Sequence, residues 1–225
     1  MTAPVPLALG PGDPVQLPDG MREALEAAYA TPPRAYHHAG HINQLVVHFR
    51  EVASGPGWHR PADVWLALLY HDAVYEAGRG DNEARSADLA RQHIDRWLVG
   101  VAVDANHVAA LIELTARHGH IDAAELGEGP DADDARHFLD CDMAILGAPP
   151  DAFAAYDRAI AAEYRGHVPA WLYKLNRKRF PEGLAAAAAA LPERLLPPAA
   201  GRAGAHQPAP RGDPQAVNRP GYARL

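Results

Sequence analysis

Histidines and aspartates are spaced along this sequence in a way that could build a metal site. The chain holds 13 histidines in 225 residues, and 12 of them lie between His37 and His167. Histidine is the commonest metal ligand in proteins, and carboxylates widen the choice to harder divalent ions. Clustering alone also fits ordinary surface histidines. The direction of each side chain on its predicted helix therefore decides which of them could bind a metal.

The adjacent pair His71 and Asp72 lies in a segment, 61–76, whose apolar residues extend nearly all round a helix. A helix turns about 100° per residue, which places each of the two side chains within about 60° of apolar neighbours. An unpaired buried charge is costly. The pair must therefore belong to an internal hydrogen-bond network, or hold a metal or a substrate.

Asp142 is the clearest inward-facing carboxylate. On a helix over 131–146 it lies within about 60° of Phe138 and Leu139, in the middle of the apolar stripe. Asp140 lies about 160° away, so we expect it to be solvated.

The second helical segment, 35–53, gives no single answer. His37 and His41 share a face, but His38 lies nearer the apolar stripe than His41 does, so periodicity leaves both His38 and His41 open. His118 aligns with apolar residues of its own helix, although a histidine in a last turn also suits the helix dipole.

The elements that carry these residues are helical almost throughout, because good helix formers dominate and β-branched alternation is missing. We predict an all-α domain over 19–196, after an irregular lead-in, 1–18, and before a disordered Pro/Gly/Arg-containing tail, 197–225. Asp81 is the expected N-cap of the fourth helix. The predicted helices are 21–30, 35–53, 61–76, 82–98, 103–118, 131–146, 151–165, 170–179 and 182–191.

Composition excludes several classes of function. The 28 acidic residues outnumber the 21 Lys and Arg residues, for a net charge of −7, which argues against a general nucleic-acid binder. The single cysteine rules out an internal disulfide. The longest apolar run, 184–191, is far short of the roughly 20 residues of a spanning helix. No signal peptide is evident, so we expect a cytoplasmic protein without a membrane partner.

Several stretches of the chain, taken in order, resemble one subfamily of the HD-domain superfamily, the bacterial predicted metal-dependent HD phosphohydrolases. The resemblance covers about 22–185. The stretches that carry it are PRAYHHAGHINQL (33–45), LLYHDAVYE (68–76), DNEARSADLA (81–90), LIELTARHGH (111–120), FLDCDMAILG (138–147) and AAYDRAIAAEY (154–164).

The resemblance implies an HD-like helical bundle with a divalent metal, one of Mn, Co, Mg, Ni, Zn or Fe, between its central helices. Carried over residue by residue, the ligands are His41, His71, Asp72 and Asp142. The resemblance therefore favours His41 over His38. The implied reaction is hydrolysis of a phosphate ester or pyrophosphate bond of a small molecule, with a nucleotide as the expected substrate.

Other residues beside these motifs are candidates for catalysis and substrate binding. Asp72 could orient the attacking water as well as bind the metal, and His37 or Glu83 could act as an acid or base. The expected substrate-binding residues are Arg34, Arg85 and His118, because arginine suits bidentate contact with phosphate.

Two other classes of function remain open. Some HD-domain relatives hold two irons and activate oxygen with additional histidines, and this chain has five candidates in the corresponding interval: His93, His107, His118, His120 and His137. A non-catalytic binding module with a structural metal is the other alternative. Apolar helix faces could also serve a homo-oligomer.

Overall fold

The computed structural model describes residues 5–32, 34–117, 121 and 124–169 of the chain. These residues form helices and contain no strand, which confirms the all-α class. The described helices belong to one compact unit, Met1–Leu195. The helices are α1 (Asp19–Ala30), α2 (Ala39–Ser54), α3 (Pro61–Tyr70), α4 (Asn82–Trp97), α5 (Ala105–Thr115), α6 (Pro130–Met143) and α7 (Pro150–Glu163), with a 3₁₀ turn, Ala144–Gly147, between the last two.

Helix α3 is the centre of the fold. Every residue from Asp63 to Tyr70 is buried, and α3 contacts α2, α4, α5 and α6. The apolar pattern on all sides of the sequence segment predicts this surrounded position. Full burial of a Leu or Val side chain contributes about 1.5–3 kcal/mol, so α3 fixes the positions of the helices around it.

The predicted helix over 61–76 is too long, because α3 ends at Tyr70. His71 still donates its N–H to the Ala67 carbonyl, but the chain then turns. Two side chains from the start of α4 form hydrogen bonds with the backbone groups that follow. Ser86 bonds both the N–H and the C=O of Val74, and Asn82 does the same for Glu76.

Helix α2 begins at Ala39, four residues later than predicted. His38 has an extended backbone, and its Nδ1 accepts the N–H of Gly40, so it caps the helix. The residues before it, 34–38, form an irregular segment beside the end of α3.

Other helix ends differ from the predictions. Asp104 caps α5 by accepting the N–H groups of Asn106 and His107. Asp81 does not cap α4, because its carboxylate binds the Arg79 guanidinium instead. Helix α6 ends at Met143 and continues as the 3₁₀ turn.

The predicted helices 170–179 and 182–191 and the predicted tail lie outside the described residues. None of the helices in the described part of the chain combines the length and the apolar character that crossing a membrane requires.

Candidate metal centre

Four side chains that could bind a metal ion come together at one point, from helix α2, the turn after α3 and helix α6. The Nε2 atoms of His41 and His71 lie 3.4 and 3.3 Å from Asp142 Oδ1. The same two atoms lie 3.5 and 3.1 Å from Asp72 Oδ2. The ligand atoms of His41, His71 and Asp142 all lie within 4.8 Å of one another. Asp72 stands beside this group of three.

These separations fit a shared metal ion. Nitrogen and oxygen ligands lie about 2.0–2.2 Å from a first-row divalent metal, so neighbouring ligands on one ion are about 3.0–3.5 Å apart. The four N···O distances fall in that range or at its edge. Two imidazoles with one or two carboxylates form a mixed nitrogen and oxygen set, which suits Mn, Fe, Co, Ni or Zn.

The hydrogen bonding of His71 supports the same interpretation. Its Nδ1 lies 3.0 Å from the Leu68 carbonyl, to which it donates, so that the lone pair of the neutral ring is left on Nε2. Nε2 is buried and makes no hydrogen bond, although two carboxylates lie within 3.3 Å of it. A buried nitrogen that faces two carboxylates without a hydrogen bond fits a metal ligand.

His41 is held by aromatic packing. Only 4% of its surface is exposed, and its ring centroid lies 4.7 Å from that of Tyr36 and 5.5 Å from that of His71. His41 therefore joins the cluster, whereas His38 caps the helix. Periodicity had left this choice open, and the resemblance favoured His41.

The charges in the site are strongly coupled. Burial would lower the pKa of His71, but attraction from Asp72 and Asp142 holds that pKa well above its usual value. Burial lowers the pKa of His41 despite the same two carboxylates. Burial would raise the pKa of Asp72, but His71 and His37 outweigh it and lower that pKa. Without a cation, a proton on His71 balances part of the negative charge of the two carboxylates. A bound cation would take the place of that proton and leave the ring neutral.

A cleft of about 350 Å³ opens above this cluster. Its lining combines polar residues with aromatic and aliphatic ones, and neither Arg nor Lys is among its described lining residues. The polar ones are His37, His41, His71, Asp72, Glu83, Thr115 and Asp142, and the others are Tyr36, Tyr75, Met143, Ile145, Leu146, Tyr156, Ile160, Tyr164 and Val168.

Two predicted catalytic residues, Glu83 and His37, line the same cleft as Asp72. Glu83 lies in the first turn of α4, where helix dipoles favour acidic residues. His37 stacks on Tyr75, with ring centroids 4.0 Å apart, and its Nδ1 lies 2.6 Å from Glu163 Oε2.

Arg34 lies near the site but does not fit the predicted phosphate-binding role. Its NH1 donates to the carbonyls of His37 and Asp72, and its NH2 donates to those of Ala28 and Ala73. Both terminal nitrogens are therefore occupied by backbone oxygens. The guanidinium ties the turn after α3 to helix α1 and to the segment before α2, which is a structural role.

Arg85 does not fit the predicted phosphate-binding role either. It is exposed, pairs with Glu76 at 3.7 Å and does not line the cleft. His118 lies outside the described residues. Asp140 is partly buried rather than solvated, and burial raises its pKa.

The additional histidines do not form a second cluster within the described residues. The ring of His93 bonds the Tyr70 hydroxyl, that of His107 bonds Asp63, and that of His137 packs on Trp58. His118 and His120 lie outside the described part of the chain.

Sequence reasoning missed Glu163, whose side chain is only 5% exposed. It lies three residues after Ile160, the buried residue of α7, and so on the same helix face. Helical periodicity could therefore have placed this carboxylate on the inward side of α7. No protein-family model matches the chain, and no curated protein and no solved structure matches it either.

Proposed function

We propose that this protein is a metal-dependent phosphohydrolase that cleaves a phosphate ester or pyrophosphate bond of a small molecule, with a nucleotide as the expected substrate. The observation that carries the proposal is the convergence of His41, His71, Asp72 and Asp142 at the floor of a cleft. The resemblance of the surrounding sequence to HD phosphohydrolases supplies the reaction class.

The four side chains would hold one divalent ion and leave one or two of its coordination positions open. When bound, such an ion lowers the pKa of water towards neutrality and polarises a phosphoryl oxygen.

The remaining steps fall to side chains of the cleft. Asp72 directs one carboxylate oxygen towards the histidines, which leaves the other to orient the attacking water. Glu83 lines the same cleft and can accept a proton from that water. His37 lines the cleft on the side of α7 and can give a proton to the leaving group.

The aromatic and aliphatic residues of the cleft would hold the organic part of the substrate. Tyr36, Tyr75 and Tyr156 are among them, and a nucleobase packs well against such rings. These residues would also exclude bulk water from the reacting phosphorus, which strengthens electrostatic interactions in the site.

Metal content and hydrolysis measured on the same preparations test the proposal. Elemental analysis of the wild type, after reconstitution with Mn, Co or Mg, should give one ion per chain. The His71→Ala variant should give none. His48→Ala is the matched control, since His48 is a half-buried histidine on α2 that does not line the cleft.

The loaded wild type and the control should then hydrolyse members of a panel of p-nitrophenyl phosphate, bis(p-nitrophenyl) phosphate and nucleoside mono- and triphosphates. The His71→Ala variant should not. If the reconstituted wild type holds no metal, the assignment of these residues as a metal site is wrong. Two irons per chain with oxygen-dependent turnover would point to the oxygenase alternative.

A further inference from the structure

Glu163 connects helix α7 to the segment before α2 through three hydrogen bonds. Its Oε1 accepts the backbone N–H groups of Tyr36 and His37 at 2.7 and 3.1 Å. Its Oε2 lies 2.6 Å from His37 Nδ1. The carboxylate thus binds both the backbone and the ring of His37, and fixes the ring against rotation.

The electrostatics of the pair agree with this geometry. Burial would raise the pKa of Glu163, but the hydrogen bond and charge of His37, with the two backbone N–H groups, lower it to about 2. The carboxylate is therefore anionic at neutral pH. Because an anion beside Nδ1 favours a proton on that nitrogen, Nε2 is the ring atom left for the cleft that His37 lines.

We propose that Glu163 is the positioning residue that fixes the ring of His37, so that Nε2 faces the leaving group of the phosphate ester. This inference rests on the proposed function. His37 is then the general acid of the reaction, and Glu163 acts only through it.

Atoms and electrons balance in this hydrolysis step. The oxygen of the attacking water forms a new P–O bond while the P–O bond to the leaving group breaks, and the electron pair of the broken bond stays on the leaving oxygen. The proton on His37 Nε2 moves to that oxygen. The water's own proton passes to Glu83 and from there to solvent, and a proton from solvent restores His37.

Glu163→Gln separates this role from a merely structural one. The amide oxygen of glutamine can still accept the N–H groups of Tyr36 and His37, which preserves the contact between α7 and the segment. Its NH₂ group, however, is a donor and cannot accept the Nδ1–H bond that fixes the ring. The variant should therefore fold but no longer hold His37 in position to act as the acid. Asp151→Asn, an exposed change on the same helix, is the matched control.

The first readout does not need activity. Proton NMR of the metal-free wild type should show a far-downfield resonance from the short bond between His37 Nδ1 and Glu163 Oε2. That resonance should vanish in His37→Asn, which assigns it, and vanish or move strongly upfield in Glu163→Gln. It should persist in Asp151→Asn. A spectrum of Glu163→Gln like that of the wild type would overturn the inference.

The second readout compares leaving groups in the metal-loaded enzyme. Phenyl esters need a proton on the leaving oxygen, whereas p-nitrophenyl esters leave readily without one. Glu163→Gln should slow kcat for phenyl phosphate or diphenyl phosphate about 100-fold. It should change kcat for the matching p-nitrophenyl ester by less than about threefold. The double variant with His37→Asn should show no further loss, because the two residues act as one unit.

The outcomes distinguish the inference from the proposed function. If the loaded wild type hydrolyses none of the esters, the proposed function fails and the acid role fails with it. If the wild type is active and Glu163→Gln slows both esters equally, only the inference is wrong. Additive losses in the double variant would also contradict it.

Discussion

Arg34 offers a sharp test of how the turn after α3, which carries His71 and Asp72, is held in place. Its guanidinium donates to the carbonyls of Ala28, His37, Asp72 and Ala73 over 2.6–3.0 Å. Lysine keeps the positive charge but carries its donors on one nitrogen, so Arg34→Lys can reach only one or two of these carbonyls. A hydrogen bond from a charged group contributes about 1.5–3 kcal/mol, and losing two should lower the free energy of unfolding by about 3–6 kcal/mol.

The same substitution should weaken metal binding, although Arg34 is not in the ligand group. Two of the four carbonyls belong to Asp72 and to the residue after it. Without the guanidinium, the turn that carries His71 and Asp72 is free to shift, and loss of such an outer partner reduces metal affinity by about 10–100-fold.

Urea unfolding in the presence of a chelator measures the first effect, and a metal-binding isotherm measures the second. Arg85→Lys is the matched control, because the same exchange at an exposed arginine should change stability by less than about 0.5 kcal/mol. If Arg34→Lys keeps wild-type stability and metal affinity but raises KM, Arg34 binds phosphate after all. The reasoning from the carbonyl contacts would then be refuted.

Two further predictions follow from the site. At a metal concentration of 100 times the Kd, binding should raise the free energy of unfolding of the wild type by about 2.7 kcal/mol. Thermal unfolding with and without metal should show this gain in the wild type and not in Asp142→Asn. Because the pKa of Glu163 is lowered from 4.5 to about 2, its contribution to stability is present above pH 4.5 and is lost as the pH falls from 4.5 towards 2. Urea unfolding should therefore show wild type and Glu163→Gln differing by about 3 kcal/mol at pH 7, by about half that near pH 3, and converging only near pH 2. A difference independent of pH would contradict the pairing.

Much of the fold could be predicted because it depends on local patterns. The apolar residues on every side of α3 predicted its burial, and Asp142 could be placed on the inward face of α6 from its neighbours alone. These conclusions need only the helical repeat and the hydrophobic effect. The four-residue ligand set needed the resemblance as well, since periodicity did not separate His41 from His38.

The contacts that the sequence did not predict join residues far apart in the chain. Arg34 meets carbonyls 38 and 39 residues away, and Glu163 meets His37 across 126 residues. Buried Asp134 accepts the N–H groups of His59 and Arg60 in the same way. Backbone N–H and C=O groups are the same at every residue, so nothing in the sequence marks which of them a distant side chain will bind.

The early end of α3 shows how such contacts build the site. In a helix that continued to residue 76, the Asp72 carbonyl would accept the N–H of Glu76. In the structure that N–H bonds the Asn82 side chain, and the Asp72 carbonyl bonds Arg34. At the end of α3, side chains from α4 and from the segment before α2 therefore replace the backbone partners that a continuing helix would supply. Because the turn carries His71 and Asp72, the candidate metal centre depends on Arg34 and Asn82 as well as on the four side chains proposed to bind the ion.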